Sequence, residues 1–391
     1  MLDYLKGAAY NYLYGTACQK LLITRGVPPL AELGAPDASG LTVVVTGPTS
    51  GIGWATAAEL ARRGAHGGGG GGGARPTRPA QRPRATPRAD RRRARRAVVL
   101  ACRSAAKGES MVAALTADAA AAGRRAPSLE VSLLDLASLD SVRDFVERWE
   151  AGGRALHVLI NNAGLFNMGV GRCETGDGVE VHMQTNHLAH FLLTLGLLPA
   201  LRRAAAAGGG GADRGAARGF VPRVVSVASA MHHLGYRLRA DPEMRGAYSA
   251  ELAYGNSKLA QVAFTRELAA RLSAAGAGVD ALAVHPGNVL TDVVRSLPAR
   301  LQAAYRLLMT RVLLTPDEGA RASVYAATDP GAAAAAAATG GYLDCSARPV
   351  APHRLAADPD LGAWLWRWSA ERVGLREAWD LAPAPAQPAG T

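Results

Sequence analysis

The chain has 391 residues, of which 49% are hydrophobic and 19% are charged, and this composition excludes wholesale disorder. Its formal net charge is +12, which on its own suggests a nucleic-acid partner. Residues 67–97 hold ten Arg and one Asp, so most of the positive charge belongs to that segment and not to the folded part. The charge distribution therefore does not favour nucleic-acid binding as the function of the folded part.

The cysteines and the N-terminal residues bear on the cellular compartment of the protein and on membrane contact. The four cysteines are widely spaced and form no C-x-x-C pair, which predicts a reducing, cytoplasmic compartment and no metal site. Residues 1–37 form a predicted helical segment without a signal peptide or an apolar run long enough to span a membrane. Its Tyr and Leu residues fit either a peripheral membrane contact or a helix docked on the protein body.

Apolar runs alternate with helix-forming stretches from residue 41 onward. The runs that predict strands are residues 41–46, 97–102, 129–134, 155–160, 223–227 and 279–284. Helices are predicted over residues 54–63 and near 111–122. Because such strands are apolar along their whole length, we predict a Rossmann-like, doubly wound α/β fold, with a parallel sheet covered by helices on both faces.

Residues 38–350 are predicted to form a single catalytic domain that low-complexity segments interrupt. These segments are a Gly/Arg/Pro-rich insertion at 67–97, an Ala/Gly-rich loop at 204–219 and an alanine run at 332–338. Deleting 67–97 would leave an ordinary helix-to-strand connection, so we interpret this segment as a disordered insertion.

Residues 351–391 form a predicted C-terminal extension with a frayed tail. Within it, apolar residues recur at helical spacing, which predicts the packing face of one helix; they are Leu361, Trp364, Leu365 and Trp368.

A glycine-rich turn lies between the first strand and the first helix. Gly47 permits a tight turn, Gly51 lets the backbone approach a pyrophosphate, and Gly53 allows close packing of the helix on the sheet. Phosphate binding at such a helix N-terminus is favoured by its free N–H groups. The predicted cofactor-binding residues of this turn are Gly47, Thr49, Ser50, Gly51, Ile52 and Gly53.

The second strand ends in a basic residue, Arg103, with Lys107 one turn later, where a protein that prefers NAD usually has an acid. A guanidinium forms a fork on a 2′-phosphate, so NADP(H) is the predicted cofactor and NAD(H) the alternative. Asp135 and Leu136 follow the third strand and are placed to meet the adenine.

Tyr254 and Lys258 are four residues apart, which places a phenol and an ammonium on one helix face. A fixed ammonium favours the phenolate and brings proton transfer by a group with a pKa near ~10 closer to neutral pH. This pair and Ser229 are therefore the candidate catalytic residues.

Together these motifs resemble the short-chain dehydrogenase/reductase family, whose order they follow over residues 41–291. Residues 177–180, 186–194 and 285–287 are similar to its retinol dehydrogenase branch, and residues 46–53 to its plant oxidoreductases. The family often has two serines where this chain has Ala228 and Ser229.

The resemblance implies a role for each site residue. Tyr254 would be the acid and base, Lys258 would bind the nicotinamide ribose, Ser229 would hold the substrate oxygen, and Asn186 would hold a water in a proton relay. The remaining cofactor contacts would come from Asn161, Ala163, Gly164, Pro286, Gly287 and Thr291.

The resemblance also implies a substrate. The segment after Thr291 would fold over the substrate, and residues 293–314 are strongly apolar, which predicts a small lipophilic carbonyl or alcohol such as a retinoid, an isoprenoid or a steroid-like lipid. A helix packed on the core or on a second subunit would have a similarly apolar sequence, so a homodimer is an alternative that the sequence leaves open. The alternative function is a catalytically silent NADP-binding scaffold on the same fold.

Overall fold

The computed structural model describes residues 40–64, 97–167, 170–208, 220–289 and 313–375, together with Val27, Leu30 and Ala38. Seven parallel strands form one sheet in the order β3-β2-β1-β4-β5-β6-β7. They are β1 Val43–Thr46, β2 Val98–Cys102, β3 Leu129–Leu133, β4 Val158–Asn161, β5 Arg223–Val227, β6 Asp280–Val284 and β7 Tyr342–Leu343. The predicted fold class is confirmed. Strand β7 was not predicted, because two residues show no periodicity.

Eight α-helices lie within the described residues, on both faces of the sheet. They are α1 Gly51–Gly64, α2 Ala105–Ala121, α3 Leu139–Ala151, α4 Ala189–Gly208, α5 Ala250–Ala274, α6 Pro316–Thr328, α7 Ala332–Ala337 and α8 Pro359–Arg372. A π-helical turn, Met183–Leu188, precedes α4, and 3-10 turns occupy Ala230–Leu234 and Arg354–Ala357. Helix α2 begins six residues before the predicted stretch, because the Ser104 side chain caps it by accepting the Lys107 N–H.

Alternate residues of each strand enter different hydrophobic cores. On β1, Val43 and Val45 pack with α1, α2, α6 and α7, whereas Val44 packs with α3, α4, α5 and α8. Since side chains of a strand point to opposite faces in turn, a strand that is buried on both faces must be apolar at every position. The sheet therefore forms the middle of three layers.

The sheet is continuous on both sides of the predicted insertion. Val43 pairs with Val98 in the parallel register of β1 and β2, and helix α1 ends at Gly64. Residues 65–96 lie outside the described residues. The strand after the insertion thus takes the place beside β1 that an uninterrupted chain would give it.

Two of the predicted low-complexity segments are partly helical, which corrects the sequence interpretation. Residues up to Gly208 complete helix α4, and residues 209–219 lie outside the described part. The alanine run forms α7, in which Ala332 and Ala336 are buried. Alanine has the highest helix propensity, so a run of alanines forms a helix wherever one side of it can be buried.

Helix α8 of the C-terminal extension packs against the core. Leu361 and Leu365 are buried, as predicted. The tryptophan that enters the core is Trp366, whose ring centroid lies 5.4 Å from that of Phe191, whereas Trp364 and Trp368 are half-buried and stack on each other.

One segment of the described residues, Met183–Ala207, is long and apolar enough to cross a membrane. Within its most apolar window, 72% is buried inside the protein, because α4 packs against the sheet and α3. Burial in the core accounts for its apolar composition.

Candidate functional site

The predicted site residues gather at the carboxyl ends of the strands, next to the boundary between β1 and β4. From this boundary the chain builds the sheet outward in two directions, through β2 to β3 and through β5 to β7. In open parallel sheets, ligands bind in the crevice at such a switch point. The topology therefore places a ligand cleft beside the glycine-rich turn.

The glycine-rich turn has the geometry that its sequence predicts. Gly47 and Gly51 have φ of 63° and 53°, in the left-handed region that favours glycine. A Cβ added to Gly53 would overlap the carbonyl oxygen of Gly47 and lie 2.5 Å from Nδ2 of Asn162. Thr49 and Ile52 are half-buried and Ser50 is exposed. The turn thus brings backbone against backbone at the start of α1, and its residues fit the diphosphate of a dinucleotide.

Asn162, which the sequence analysis did not select, links this turn to the end of β4. Its Nδ2 donates to the carbonyl of Thr46 at 2.8 Å and to that of Gly47 at 3.4 Å. The Thr46 hydroxyl in turn accepts the backbone N–H groups of Asn162 and Ala163, each at 2.9 Å. The two motifs that frame the cleft are therefore one hydrogen-bonded unit. Its signal was present in the sequence, because Asn162 lies between Asn161 and Ala163, two of the predicted cofactor contacts.

Three predicted contacts of the adenine–ribose side have different environments. The Asn161 side chain is buried and donates to the Thr194 hydroxyl of α4 at 2.9 Å, and its cofactor contact stays a prediction. Ala163 lies against the turn, since a Cβ on Gly47 would be 2.9 Å from its own Cβ. A Cβ on Gly164 would lie 3.3 Å from Lys258 Nζ, so Gly164 borders the catalytic residues.

The residues predicted to select the cofactor follow β2 and β3. Arg103 and Lys107 are exposed after β2. Asp135 follows β3, and its carboxylate accepts the backbone N–H of Ala137 at 3.0 Å, while Leu136 is buried. Arg103 is therefore free of the core and accessible from solvent, as a 2′-phosphate ligand must be.

The structure brings the candidate catalytic residues together. Ser229 lies two residues after β5 and caps the 3-10 turn Ala230–Leu234, and its side chain lies close enough to that of Tyr254 to lower the pKa of the phenol. Lys258 Nζ lies 5.6 Å from the centre of the Tyr254 ring. Asn186 lies in the π-helical turn. Gly164 lies next to both Asn186 and Lys258, since a Cβ added to it would be 3.7 Å from Asn186 Oδ1 and 3.3 Å from Lys258 Nζ. Four residues from three separate stretches thus converge beside the glycine-rich turn.

The side-chain amide of Asn186 is held by three hydrogen bonds within the protein. Its Oδ1 accepts the Leu165 N–H at 2.7 Å, and its Nδ2 donates to the Leu165 carbonyl at 3.0 Å and to the Ser257 hydroxyl at 2.9 Å. Its main-chain carbonyl lies 3.0 Å from Nδ1 of His190. The relay water that Asn186 would hold stays a prediction of the resemblance.

Burial dominates the ionisation of the catalytic pair. It raises the pKa of Tyr254 to about 12, an effect that the nearby Ser229 side chain partly offsets. It lowers the pKa of Lys258 to about 7. The Lys258 amine lies 5.6 Å from the centre of the Tyr254 ring, and its effect on the tyrosine pKa stays a prediction.

Phe166 is a second residue of the site that the sequence analysis did not select. Its ring stacks on that of Tyr254, with centroids 4.6 Å apart and an interplanar angle of 24°. Asn167, the next residue, donates its backbone N–H to His182 Nε2 at 3.0 Å, and His182 Nδ1 lies 2.6 Å from the buried Glu180 carboxylate. An apolar wall is thus held over the tyrosine by a buried polar pair.

The turn after β6 is joined to the serine segment by His285. Its Nδ1 accepts the backbone N–H of Ala230 at 3.1 Å and lies 3.3 Å from that of Gly287. Pro286 and Gly287 are buried, and Gly287 has φ of 86°. Thr291 lies outside the described residues, as does most of the predicted apolar segment at 293–314. The turn is therefore fixed relative to Ser229.

Three further histidines have structural partners. His187 Nε2 lies 2.7 Å from the Ser369 hydroxyl, and His190 Nε2 lies 3.0 Å from that of Thr46. His232 is fully buried, and its Nδ1 bonds the carbonyl of Ser229, so it helps to hold the serine segment in place. No group of three or more potential metal ligands occurs within the described ranges.

Comparisons with known proteins agree with this geometry. A family model described as short chain dehydrogenase matches residues 92–212. Retinol dehydrogenase 12 of Homo sapiens is 36% identical over 338 residues, which cover 86% of this chain and 87% of that relative. Polyprenol dehydrogenase of Mus musculus is 38% identical over 295 residues, covering 75% of this chain and 73% of the relative.

A plant relative and two solved structures complete these comparisons. Dehydrogenase/reductase SDR family member FEY of Arabidopsis thaliana is 33% identical over 354 residues, covering 87% of this chain and 80% of that relative. An uncharacterized protein from Mycobacterium paratuberculosis has a TM-score of 0.58 at 32% identity, covering 89% of this chain and 97% of that one. RhlG of Pseudomonas aeruginosa, solved with NADP, has a TM-score of 0.50 at 21% identity over 81% of this chain and 97% of its own, a likeness of fold alone. The resemblance predicted from the motifs is confirmed.

Proposed function

The chain belongs to the short-chain dehydrogenase/reductase family and is an oxidoreductase, and we propose that it interconverts a carbonyl and an alcohol on a small lipophilic substrate with NADP(H). The observation that carries the proposal is the convergence of Ser229, Tyr254 and Lys258 beside the glycine-rich turn. When bound, the nicotinamide supplies or takes up the hydride.

The chain's own residues handle the substrate oxygen and its proton. The side chains of Ser229 and Tyr254 lie close enough to interact, so a carbonyl oxygen placed between their hydroxyls would accept a hydrogen bond from each. Tyr254 would give its proton to that oxygen in reduction and take it back in oxidation. Lys258, whose pKa burial lowers to about 7, can exchange a proton with the relay near neutral pH. The buried carbonyl of Asn186 would hold the relay water.

A lipophilic substrate is supported by the apolar wall and by the relatives. Phe166 covers the face of the Tyr254 ring, so the reacting oxygen would be approached past an aromatic surface. Relatives that are 36% and 38% identical are named for retinol and polyprenol. We propose a substrate of that class, a retinoid-, isoprenoid- or steroid-like alcohol or carbonyl. The cytoplasmic location, the peripheral membrane contact and the homodimer stay predictions of the sequence.

NADP(H) is supported over NAD(H) by Arg103, which is exposed after β2 with Lys107 one turn further. Both cations follow the strand end where a 2′-phosphate would bind, and no acid that would repel it lies between Cys102 and Lys107. The cleft beside the glycine-rich turn would hold the diphosphate.

The decisive experiment compares the wild-type protein with Tyr254→Phe on a panel of retinoid, isoprenoid and steroid carbonyls. We expect wild-type oxidation of NADPH, and a loss of at least about 10²-fold in Tyr254→Phe, since general acid catalysis contributes about 10²–10⁴-fold. NADPH binding, measured by fluorescence, should be unchanged in the variant. Full turnover by Tyr254→Phe would refute the proposed mechanism, and NADPH binding by the wild type without turnover of any compound would favour the silent scaffold.

A further inference from the structure

Gln261, which none of the predicted motifs includes, contacts the catalytic lysine directly. Lys258 Nζ donates to Gln261 Oε1 at 2.7 Å and to the carbonyl of Val227 at 3.1 Å. Lys258 and Gln261 are each 2% exposed and lie one turn apart on α5. An ammonium has only donors, so the amide must present its oxygen to it.

These two bonds leave one donor of Lys258 Nζ for other partners. An ammonium has three N–H groups, and Gln261 and Val227 take two of them. Gly164 leaves room beside Nζ, since a Cβ added there would lie 3.3 Å away. The direction of the remaining donor is therefore set by the two acceptors within the protein.

Packing alone does not explain a glutamine at this position. Its Nε2 is buried and has no hydrogen-bond partner within the described part of the chain. An unpaired buried donor is unfavourable, and an apolar side chain of similar size would avoid it. The contact between Gln261 Oε1 and Lys258 Nζ is the interaction that the amide gains in return.

We propose that Gln261 is a positioning residue for Lys258: its neutral carbonyl oxygen orients the amine and supports its charge without a counter-ion, so the amine can both lose and regain a proton. The proposal deepens the proposed function and rests on it for the use of that proton. A carboxylate at the same place would hold the proton on the amine, and an apolar side chain would support the charge less.

Among the described residues, the other groups that face Lys258 carry no negative charge at neutral pH. On its own helix is Tyr254, whose pKa burial raises to about 12. From α4 comes His190, whose pKa is lowered to about 4 by burial and in part by the lysine charge. Asn186 of the π-helical turn and Val227 of β5 contribute neutral groups. Burial is accordingly the cause that lowers the pKa of Lys258 to about 7.

The test is an NMR titration of lysine in the protein without added cofactor, which requires no substrate. The chain has four lysines, Lys6, Lys20, Lys107 and Lys258, so selectively labelled lysine gives few signals, and Lys258→Met identifies the one of interest. We expect Gln261→Glu to raise the Lys258 pKa by about 1 to 3, because an opposite charge at this distance favours the charged form. Gln261→Met should lower it.

Controls separate positioning from a general effect on the fold. Thr265→Val, one turn further along α5, removes the buried hydrogen bonds to the Ser226 hydroxyl and to the main-chain carbonyl of Gln261 without touching Nζ or the Gln261 side-chain amide, and should leave the Lys258 pKa unchanged. Gln261→Asn withdraws the oxygen and should act like Gln261→Met, which covers the case of a Gln261→Glu variant that does not fold. An unchanged Lys258 pKa in all three Gln261 variants, or a change of the same sign in Gln261→Glu and Gln261→Met, would overturn the proposal. Because the titration needs no turnover, it tests the role of Gln261 even if the proposed catalytic function is wrong.

Discussion

Gly53 offers the sharpest test of how the glycine-rich turn is built. It is the third residue of α1, and a Cβ there would overlap the carbonyl oxygen of Gly47 and approach Asn162 Nδ2 to 2.5 Å. Both neighbours are held in place: one is backbone, and the other bonds the carbonyls of Thr46 and Gly47. Gly53→Ala must therefore displace the turn itself.

The expected loss follows from two opposing effects. Overpacking costs about 1–3 kcal/mol, and occasionally more, whereas alanine gains about 1 kcal/mol over glycine inside a helix. Since the overlap is with backbone, we take the upper end of that cost, about 3 kcal/mol, and expect a net fall of about 2 kcal/mol in the free energy of unfolding, measured with urea. Displacement of the turn should also weaken NADPH binding at least tenfold, which corresponds to about 1.4 kcal/mol.

Gly64→Ala is the matched control, because it makes the same change at the end of the same helix. A Cβ at Gly64 would meet only the Ala38 carbonyl, at 3.9 Å. This variant should keep its NADPH affinity and be as stable as the wild type or slightly more stable. If Gly53→Ala unfolded at the same urea concentration as Gly64→Ala and bound NADPH equally well, the close approach of Gly47 and Gly53 would not matter as argued.

The other predictions concern pH and cofactor choice. Burial lowers the pKa of His187 and His285 to about 3 and that of His190 to about 4, against about 6.5 when unfolded. The unfolded chain therefore binds more protons than the folded one below about pH 6.5, so the free energy of unfolding falls as the pH drops below that value, by at most about 1.4 kcal/mol per pH unit for each histidine. Equal urea midpoints at pH 7.5 and pH 5 would contradict this prediction. Arg103→Ala should raise the Kd for NADPH at least about tenfold and leave that for NADH nearly unchanged, because it removes a charge-assisted bond to the 2′-phosphate. Exposed Arg125→Ala is its control, and equal effects on both cofactors would disprove the assignment.

Several features of the fold were predictable because they depend on neighbouring residues. Six apolar runs marked six strands, since strands buried on both faces need apolar residues at every position. The spacing of Gly47, Gly51 and Gly53 indicated a turn that only glycine can adopt, and the positive φ of the first two agrees. Tyr254 and Lys258 share a helix face because four residues make about one turn.

Other features required the complete fold, because they join residues distant in the sequence. Phe166 stacks on Tyr254 across 88 residues, and Asn162 bonds the turn at Thr46 across 116. Composition marked 204–219 and 332–338 as low-complexity segments that interrupt the domain, although Ala204 and Ala332 lie in helices and are buried.

The sequence by itself determined which chemical groups the site has and the order in which they follow the strands. Only the tertiary structure decided how those groups ionise, since burial raises the pKa of Tyr254 to about 12 and lowers that of Lys258 to about 7. Burial is a property of all the elements packed around a side chain, β5, α4 and α5 among them, and no local pattern contains it. The contact of Gln261 with Lys258 likewise became visible only when both side chains could be placed in the same dry interior.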